Sequence, residues 1–486
     1  MIYDLLIIGG GINGCAIARD AAGRGLSVCL CEKNDLASGT SSASTKLIHG
    51  GLRYLELFEF KLVHEALAER ETLLASAPHI IWPLKFVLPH EPGHRPIWML
   101  RLGLFLYDHI SWRRRLEGSH MVKLSANEFG APLGAKYSLG FTYSDCWVDD
   151  ARFVVLNALD AKERGAEIKV GACVIDARRQ RDAWRIKLAD GEELLARSIV
   201  NASGPWVSKV IDDVLQIASF KQMRLVQGSH IVTRKLYSGD QAYILQNIDG
   251  RIVFVIPYEQ DFTLIGTTDV PYDAPPGPVK ISDREIDYLL SVVNHYWRIP
   301  VTRDEIIYSY SGLRPLYDDG ALNTSVVTRD YAFDLDALEG HAPALSIFGG
   351  KLTTSRRLAE HAVDQLSRFF VHATPAWTKE AKLPGGEQCF EEVYKKTRVQ
   401  WGFLSESEAL RLTRAYGARV DRVLTNAKNK QDLGRDFGCG FTEVEIDYLK
   451  KHEWARCAED ILWRRSKLGL RMSAAEQQAL CAFMLS

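Results

Sequence analysis

The run Gly9-Gly10-Gly11-Ile12-Asn13-Gly14 constrains this chain more than any other, because of what flanks it. Asp4 to Ile8 reads as a buried parallel strand, and the residues after the glycines read as a helix ending near Gly25. Ser27 to Cys31 is a second strand, with Glu32 at its end. That order is a βαβ dinucleotide-binding unit. Gly9, Gly11 and Gly14 permit the tight turn and let a pyrophosphate approach the helix N-terminus, where amide groups and the helix dipole favour anions. Glu32 is placed to accept ribose hydroxyls, and its charge argues against a 2′-phosphate. The glycine pattern does not separate NAD from FAD.

The next informative stretch is Gly39 to Tyr54, GTSSASTKLIHGGLRY. Gly50 and Gly51 let backbone approach a flat ligand closely. His49, Arg53 and Tyr54 add a titratable group, a fixed cation and a phenol at the same edge. The stretch reads as the floor of an active site.

At 486 residues the chain should divide into two or three domains. The balance of 60 basic and 61 acidic residues gives no global field for nucleic acid, so anion recognition must come from local cations. Nine cysteines include no CxxC pair, which suggests reduced thiols and no zinc site. Asp4 stands where a signal peptide would carry basic charge, so no leader is expected. No apolar run approaches the roughly 18–20 residues of a spanning helix. Ile97 to Tyr107, IWMLRLGLFLY, could still lie on a membrane. His94, Arg95 and Arg113 to Arg115 form a basic rim, while Trp98, Tyr107 and Trp112 suit a headgroup boundary.

Glu59 to Ala77 is expected to be a helix, stopped by Pro78. Phe153 to Arg164 predicts a helix, Glu167 to Ala177 a strand, and Ser198 to Ala202 a short buried strand. From Gly228 onward HIVTRK, QAYILQN, RIVFVIPY and FTLIGTTD read as antiparallel strands. Strand, Gly349-Gly350 and helix recur from Ala344 to Leu366, as if the first domain closed on itself. Past Gly386 the chain reads as helical, with capping-box spacing at Ser405…Glu408, Thr442…Glu445 and Ser473…Glu476. The expectation is an α/β fold. A Rossmann-type FAD-binding domain (1–77, 144–215, 320–370) interleaves with an antiparallel-sheet substrate domain (78–143, 216–319), and an all-helical domain (385–486) follows.

Over essentially its whole length the chain resembles the FAD-dependent, respiratory glycerol-3-phosphate dehydrogenases. The matching text includes GGGINGCAIARDAAGRGLSV, SSASTKLIHGGLRYLE, YSDCWVDDAR, NASGPWV, IGTTD, SGLRPL, FGGKLTT and LWRRSKLGL. The resemblance implies hydride transfer from C2 of sn-glycerol 3-phosphate to FAD, giving dihydroxyacetone phosphate, with electrons passed to a membrane quinone. It also implies a homodimer in the cytoplasm, attached peripherally to the inner face of the membrane.

Such a site needs cations for a dianionic phosphate and a base for the C2 hydroxyl. Arg53 and Arg314 would supply forks matched to phosphate, with Lys351 after the second glycine pair and Tyr54 as a hydrogen-bonding wall. His230 and His49 compete for the general base; His230 is preferred, with His49 on the flavin side. Ser41, Ser42, Ser44, Thr45, Lys46, Leu47, Gly50 and Gly51 would meet pyrophosphate and flavin, beside Gly9, Gly11, Ile12, Asn13, Gly14 and Glu32. The resemblance places Ala202 and Gly204 on the adenine side, and Gly350, Leu352 and Thr353 at the flavin's pyrimidine end. The alternatives are an oxygen-using glycerol-3-phosphate oxidase, a glycine- or sarcosine-oxidase-like amine oxidase and a non-enzymatic flavin binder. The cationic set is too positive for an amine pocket.

Overall fold

The computed structural model describes residues 1–91, 95–111, 115–318 and 330–485. His94, Trp112, Arg113, Arg114 and the 320–329 portion of the expected FAD-binding unit lie outside the described residues.

Two sheets organise the main body. In the first, Ala332–Asp336, Ala344–Phe348, Glu193–Asn201, Ile2–Ile8, Val28–Glu32 and Glu167–Val170 lie side by side in that order. All neighbours are parallel except the first pair. Its central strand shows why a continuous apolar run belongs there. Leu5 and Ile7 point into a core with the Ile12–Gly23, Asp150–Glu163 and Ser355–Ser367 helices. Leu6 and Ile8 point into a second core closed by the Val174–Arg179 and Trp184–Leu188 hairpin. Both faces are covered, as parallel sheets require.

The second sheet is mostly antiparallel. It includes the long pair Met223–Arg234 and Ile306–Tyr317, with Phe262–Gly266, Ile252–Tyr258 and Ala242–Gln246 beyond. Ile81–Pro89 and Leu139–Val148 extend it, and Ala242–Gln246 pairs with Ile81–Pro89 in parallel. One face packs with the Ile97–His109 helix side, the other beneath the Asp283–Tyr296 helix.

Several boundaries differ from the expectations. The expected strand over Glu167 to Ala177 is two, Glu167–Val170 and Val174–Arg179, divided at Gly171 with φ 78°. The helix expected at Phe153 starts at Asp150, because Asp149 accepts a hydrogen bond from the Arg152 amide and caps it. The short strand at Ser198 is the end of a longer one, Glu193–Asn201.

After residue 385 helices Phe390–Gln400, Glu406–Tyr416, Glu443–Glu453 and Ala474–Leu485 enclose their own core. Capping boxes form at Ser405–Glu408 and Ser473–Glu476, but not at Thr442–Glu445. There the Glu445 carboxylate turns inward to Arg411, 2.7 and 2.8 Å away, and accepts the Tyr416 hydroxyl. This domain is joined to the body by buried pairs, among them Arg152 with Glu453 and Arg465 with Asp35. All nine cysteines are free thiols, Cys29 and Cys31 with their sulfurs 4.0 Å apart.

No helix among the described residues is long and apolar enough to cross a membrane. The Ile97–His109 helix is two-faced. Leu104 and Tyr107 are buried, while Trp98 is 68% and Phe105 57% exposed, beside exposed Met99 and Leu102. Tyr107 therefore does not sit at a headgroup boundary. Its position, three residues past Leu104, turns it inward, where its hydroxyl donates to Asp145 at 2.8 Å and accepts from the Gly50 amide at 2.8 Å.

Candidate active site

The first glycine turn admits nothing but glycine at Gly9 and Gly14. Gly9 has φ 112°, and a Cβ there would lie 2.7 Å from the Ala202 carbonyl oxygen. A Cβ on Gly14 would lie 1.9 Å from the Gly9 carbonyl oxygen, so the helix packs directly on the turn. The helix that follows has no acidic residue in its first turn, and its first amide, on Ile12, donates to Ser41 Oγ at 3.0 Å. Asn13 Nδ2 donates to the Gly349 carbonyl at 3.2 Å and ties the two glycine turns together, while its Oδ1 is buried without a partner. An orphaned acceptor at a glycine cradle is what a donor-bearing ligand would satisfy.

A cavity of about 460 Å³ runs over this cradle. Gly9, Gly11, Ile12, Asn13, Glu32, Ser41, Ser44, Ala202, Gly204, Gly350 and Leu352 line it. Glu32 accepts the Gly10 and Asn34 amides at 2.7 and 2.8 Å, yet burial raises its pKa. The wall also holds residues that sequence reasoning missed: Trp206, Cys173, Lys33 and Asn34. The tryptophan of NASGPWV was a usable signal, since Pro205 and Trp206 sit on the 3-10 turn Gly204–Trp206, with Lys33 Nζ 4.1 Å from the ring centre.

A second cavity of about 210 Å³ shares Thr40, Ser44, Pro315, Gly349, Gly350 and Leu352 with the first. It is lined further by Thr45, Leu47, His49, Tyr54, Arg314, Asp330, Lys351 and Thr353. Arg314 rises from the Ile306–Tyr317 strand opposite Val226. It donates to Thr267 Oγ1 at 2.6 Å and to the Thr268 carbonyl at 3.1 Å, and pairs with Asp269. A Cβ on neighbouring Gly228 would lie 2.3 Å from the guanidinium. Lys351 Nζ sits 4.1 Å from the Tyr54 ring centre.

The remaining predicted residues stand behind these walls. Gly14 supports the turn. Lys46 is buried with its ammonium on Asp150, 2.8 Å away, and on the Ser42 carbonyl at 3.1 Å. Burial lowers its pKa, opposed by Asp150. Gly50 and Gly51 are buried, and Arg53 is half-buried on the Leu52–Leu55 turn; none of the three lines either cavity. His230 is fully buried, stacked on Tyr310 with ring centres 4.8 Å apart, and its Nε2 is 3.0 Å from Thr45 Oγ1. Burial, then repulsion from Arg314 and Lys46, holds its pKa well below the ordinary histidine range. His49 is also lowered, chiefly by burial, against an opposing effect of Asp145.

A dinucleotide cradle opening into a small cationic pocket, across a parallel and an antiparallel sheet, defines a dinucleotide-dependent oxidoreductase. The sequence pattern of the FAD dependent oxidoreductase family matches residues 4–364, and that of the C-terminal domain of alpha-glycerophosphate oxidase matches residues 376–484. The chain is 52% identical to a glycerol-3-phosphate dehydrogenase of Pseudomonas aeruginosa, covering 100% of this chain and 95% of the relative. It is 50% identical to a D-erythritol 1-phosphate dehydrogenase of Brucella abortus, over 98% and 96% of the two chains. The crystal structure of glycerol-3-phosphate dehydrogenase from Bacillus halodurans complexed with FAD superposes with a TM-score of 0.78 at 27% identity, covering 99% of this chain and 90% of that one. The chain belongs to the FAD-dependent glycerol-3-phosphate dehydrogenase family.

Proposed function

We propose that this enzyme oxidises sn-glycerol 3-phosphate to dihydroxyacetone phosphate and delivers the electrons to a membrane quinone. The observation that carries the reading is the convergence of Arg314, Lys351, Tyr54 and His49 on one small cavity that opens into the glycine cradle. Gly9, Gly11, Ile12, Asn13, Glu32, Ser41, Ala202, Gly204 and Gly350 would hold the FAD. Bound there, it supplies a two-electron acceptor for the C2 hydride. Arg314 and Lys351 grip the phosphate, and the fork of Arg314 is held ready by the Thr267–Asp269 turn. Thr45 lines the cavity and touches His230, so the C2 hydroxyl proton leaves through the Thr45 hydroxyl to the neutral imidazole.

Anaerobic addition of glycerol 3-phosphate should bleach the flavin absorbance of the purified protein, with electrons then recovered by added quinone. D-Erythritol 1-phosphate belongs in the same panel, because a relative named for it is as similar as those named for glycerol 3-phosphate. Bleaching by glycine or sarcosine, or by no polyol phosphate, would overturn this reading. Oxygen consumption without quinone would instead select the oxidase.

We also propose that the outer face of the Ile97–His109 helix meets the membrane surface. Trp98, Met99, Leu102 and Phe105 are exposed there, and the helix packs on the Leu52–Leu55 turn, which leads into exposed Leu57, Phe58 and Phe60. Lone exposed apolar residues need no explanation, but a contiguous patch does. Replacing Trp98 and Phe105 together by glutamate should abolish co-sedimentation with anionic vesicles while leaving dye-linked activity in solution intact. Unchanged sedimentation would remove this surface from membrane attachment.

A further inference from the structure

The C-terminal helical domain reaches a wall of the cofactor cavity through the turn Asp460–Arg465. Strand Val28–Glu32 ends in a loop whose Lys33, Asn34 and Ser38 line the 460 Å³ cavity beside Glu32. At the back of that loop Asp35 is buried. Its carboxylate accepts three charge-assisted hydrogen bonds: from Arg464 Nε at 2.5 Å, Arg465 Nη1 at 2.8 Å and Arg465 Nη2 at 2.7 Å. Both arginines lie on the π-helical turn Asp460–Arg465 of the C-terminal domain, more than four hundred residues away in sequence.

The turn is itself held rigid. Arg465 also donates to the Glu453 carbonyl at 3.0 and 2.6 Å, and Arg464 pairs with Asp460, which in turn accepts the Arg456 and Cys457 amides at 2.8 and 3.0 Å. Immediately before the two arginines Trp463 stacks on Tyr308, ring centres 4.2 Å apart, on the strand that carries Tyr310 and Arg314. The loop is tied from its other side to the glycine cradle by the Ala37 amide, which donates to the Gly10 carbonyl at 3.1 Å. Asp35 thus connects the C-terminal domain to the loop that forms one end wall of the cavity.

We infer that the C-terminal domain is a cofactor clamp, in which Arg464 and Arg465 fix Asp35 and through it pre-order the Lys33–Ser38 wall for FAD. This rests on the reading that the 460 Å³ cavity receives FAD. A wall ordered before binding spares the ligand the entropy of ordering it, so affinity should fall when the ion pairs are cut. Arg464 and Arg465 line neither the 460 Å³ nor the 210 Å³ cavity; they are positioning residues.

The test uses the full chain stripped of flavin and titrated with FAD by fluorescence quenching. Arg465→Gln should weaken FAD binding by about tenfold or more, the size of coupling expected within one ion-pair network. Arg465→Lys should recover part of that loss, and at saturating FAD the KM for glycerol 3-phosphate should match wild type. A folded variant with lowered Tm but unchanged FAD affinity would show a purely structural contact and overturn the proposal. If Arg465→Gln does not fold, the same titration on Arg464→Gln and Asp35→Asn decides on the same criterion. Gly11→Val serves as the control for the cavity itself: if it keeps FAD, the cavity assignment fails independently of the clamp.

Discussion

Replacing Arg314 by alanine should raise the KM for the polyol phosphate by about a hundredfold and reduce kcat/KM by at least as much, two charge-assisted hydrogen bonds being worth roughly 1.5–3 kcal/mol each. The expectation follows from how the side chain is held. Thr267, Thr268 and Asp269 orient the guanidinium, and Gly228 leaves room beside it that a Cβ would take. A planar fork so fixed matches phosphate oxygens in pairs, which an ammonium cannot do. Arg314→Lys should therefore recover only a minor part of the loss. Steady-state kinetics with glycerol 3-phosphate decides the matter, and a KM unchanged in Arg314→Ala would take this residue out of phosphate recognition.

His230→Gln should lower kcat by about a hundred- to ten-thousandfold, the range of a positioned general base. The pH behaviour is the sharper readout. A base must be neutral to accept a proton, and burial with the nearby charges of Arg314 and Lys46 pushes the His230 pKa down. The wild-type kcat should accordingly stay level as pH falls from 8 toward the ordinary histidine range, and drop only below it. The glutamine variant should lose that acid limb along with the rate. Near-normal turnover across pH would pass the role to His49, which lines the cavity directly.

The nucleotide half of this site was readable from the sequence because its determinants are local. Three glycines, an acid at the end of the next strand and a hydroxyl-rich run each declare a backbone requirement within a few residues. The strand–Gly349-Gly350–helix run was readable for the same reason. What escaped were pairings between distant residues. Lys46 looked like a cofactor ligand in a polar run, yet Asp150, 104 positions on, takes its charge. Tyr107 looked like an interfacial aromatic, but Asp145 and the Gly50 amide claim its hydroxyl. Glu445 had capping-box spacing, and a half-buried arginine on another helix drew it away. Burial against a remote partner leaves no periodic signal, so propensity alone could not choose.

The strand order has a consequence for how the enzyme comes into being. Glu193–Asn201 and Ala344–Phe348 both lie on the same side of the opening strand, so the sheet beneath the glycine turns stays unfinished until residue 348 has been synthesised. Until then Ile199 to Asn201 lack their second strand neighbour, while Ile2–Ile8 already has both of its own. Gly349, Gly350 and Leu352 line the cofactor cavity, so the cradle is complete only after translation has passed the second glycine pair.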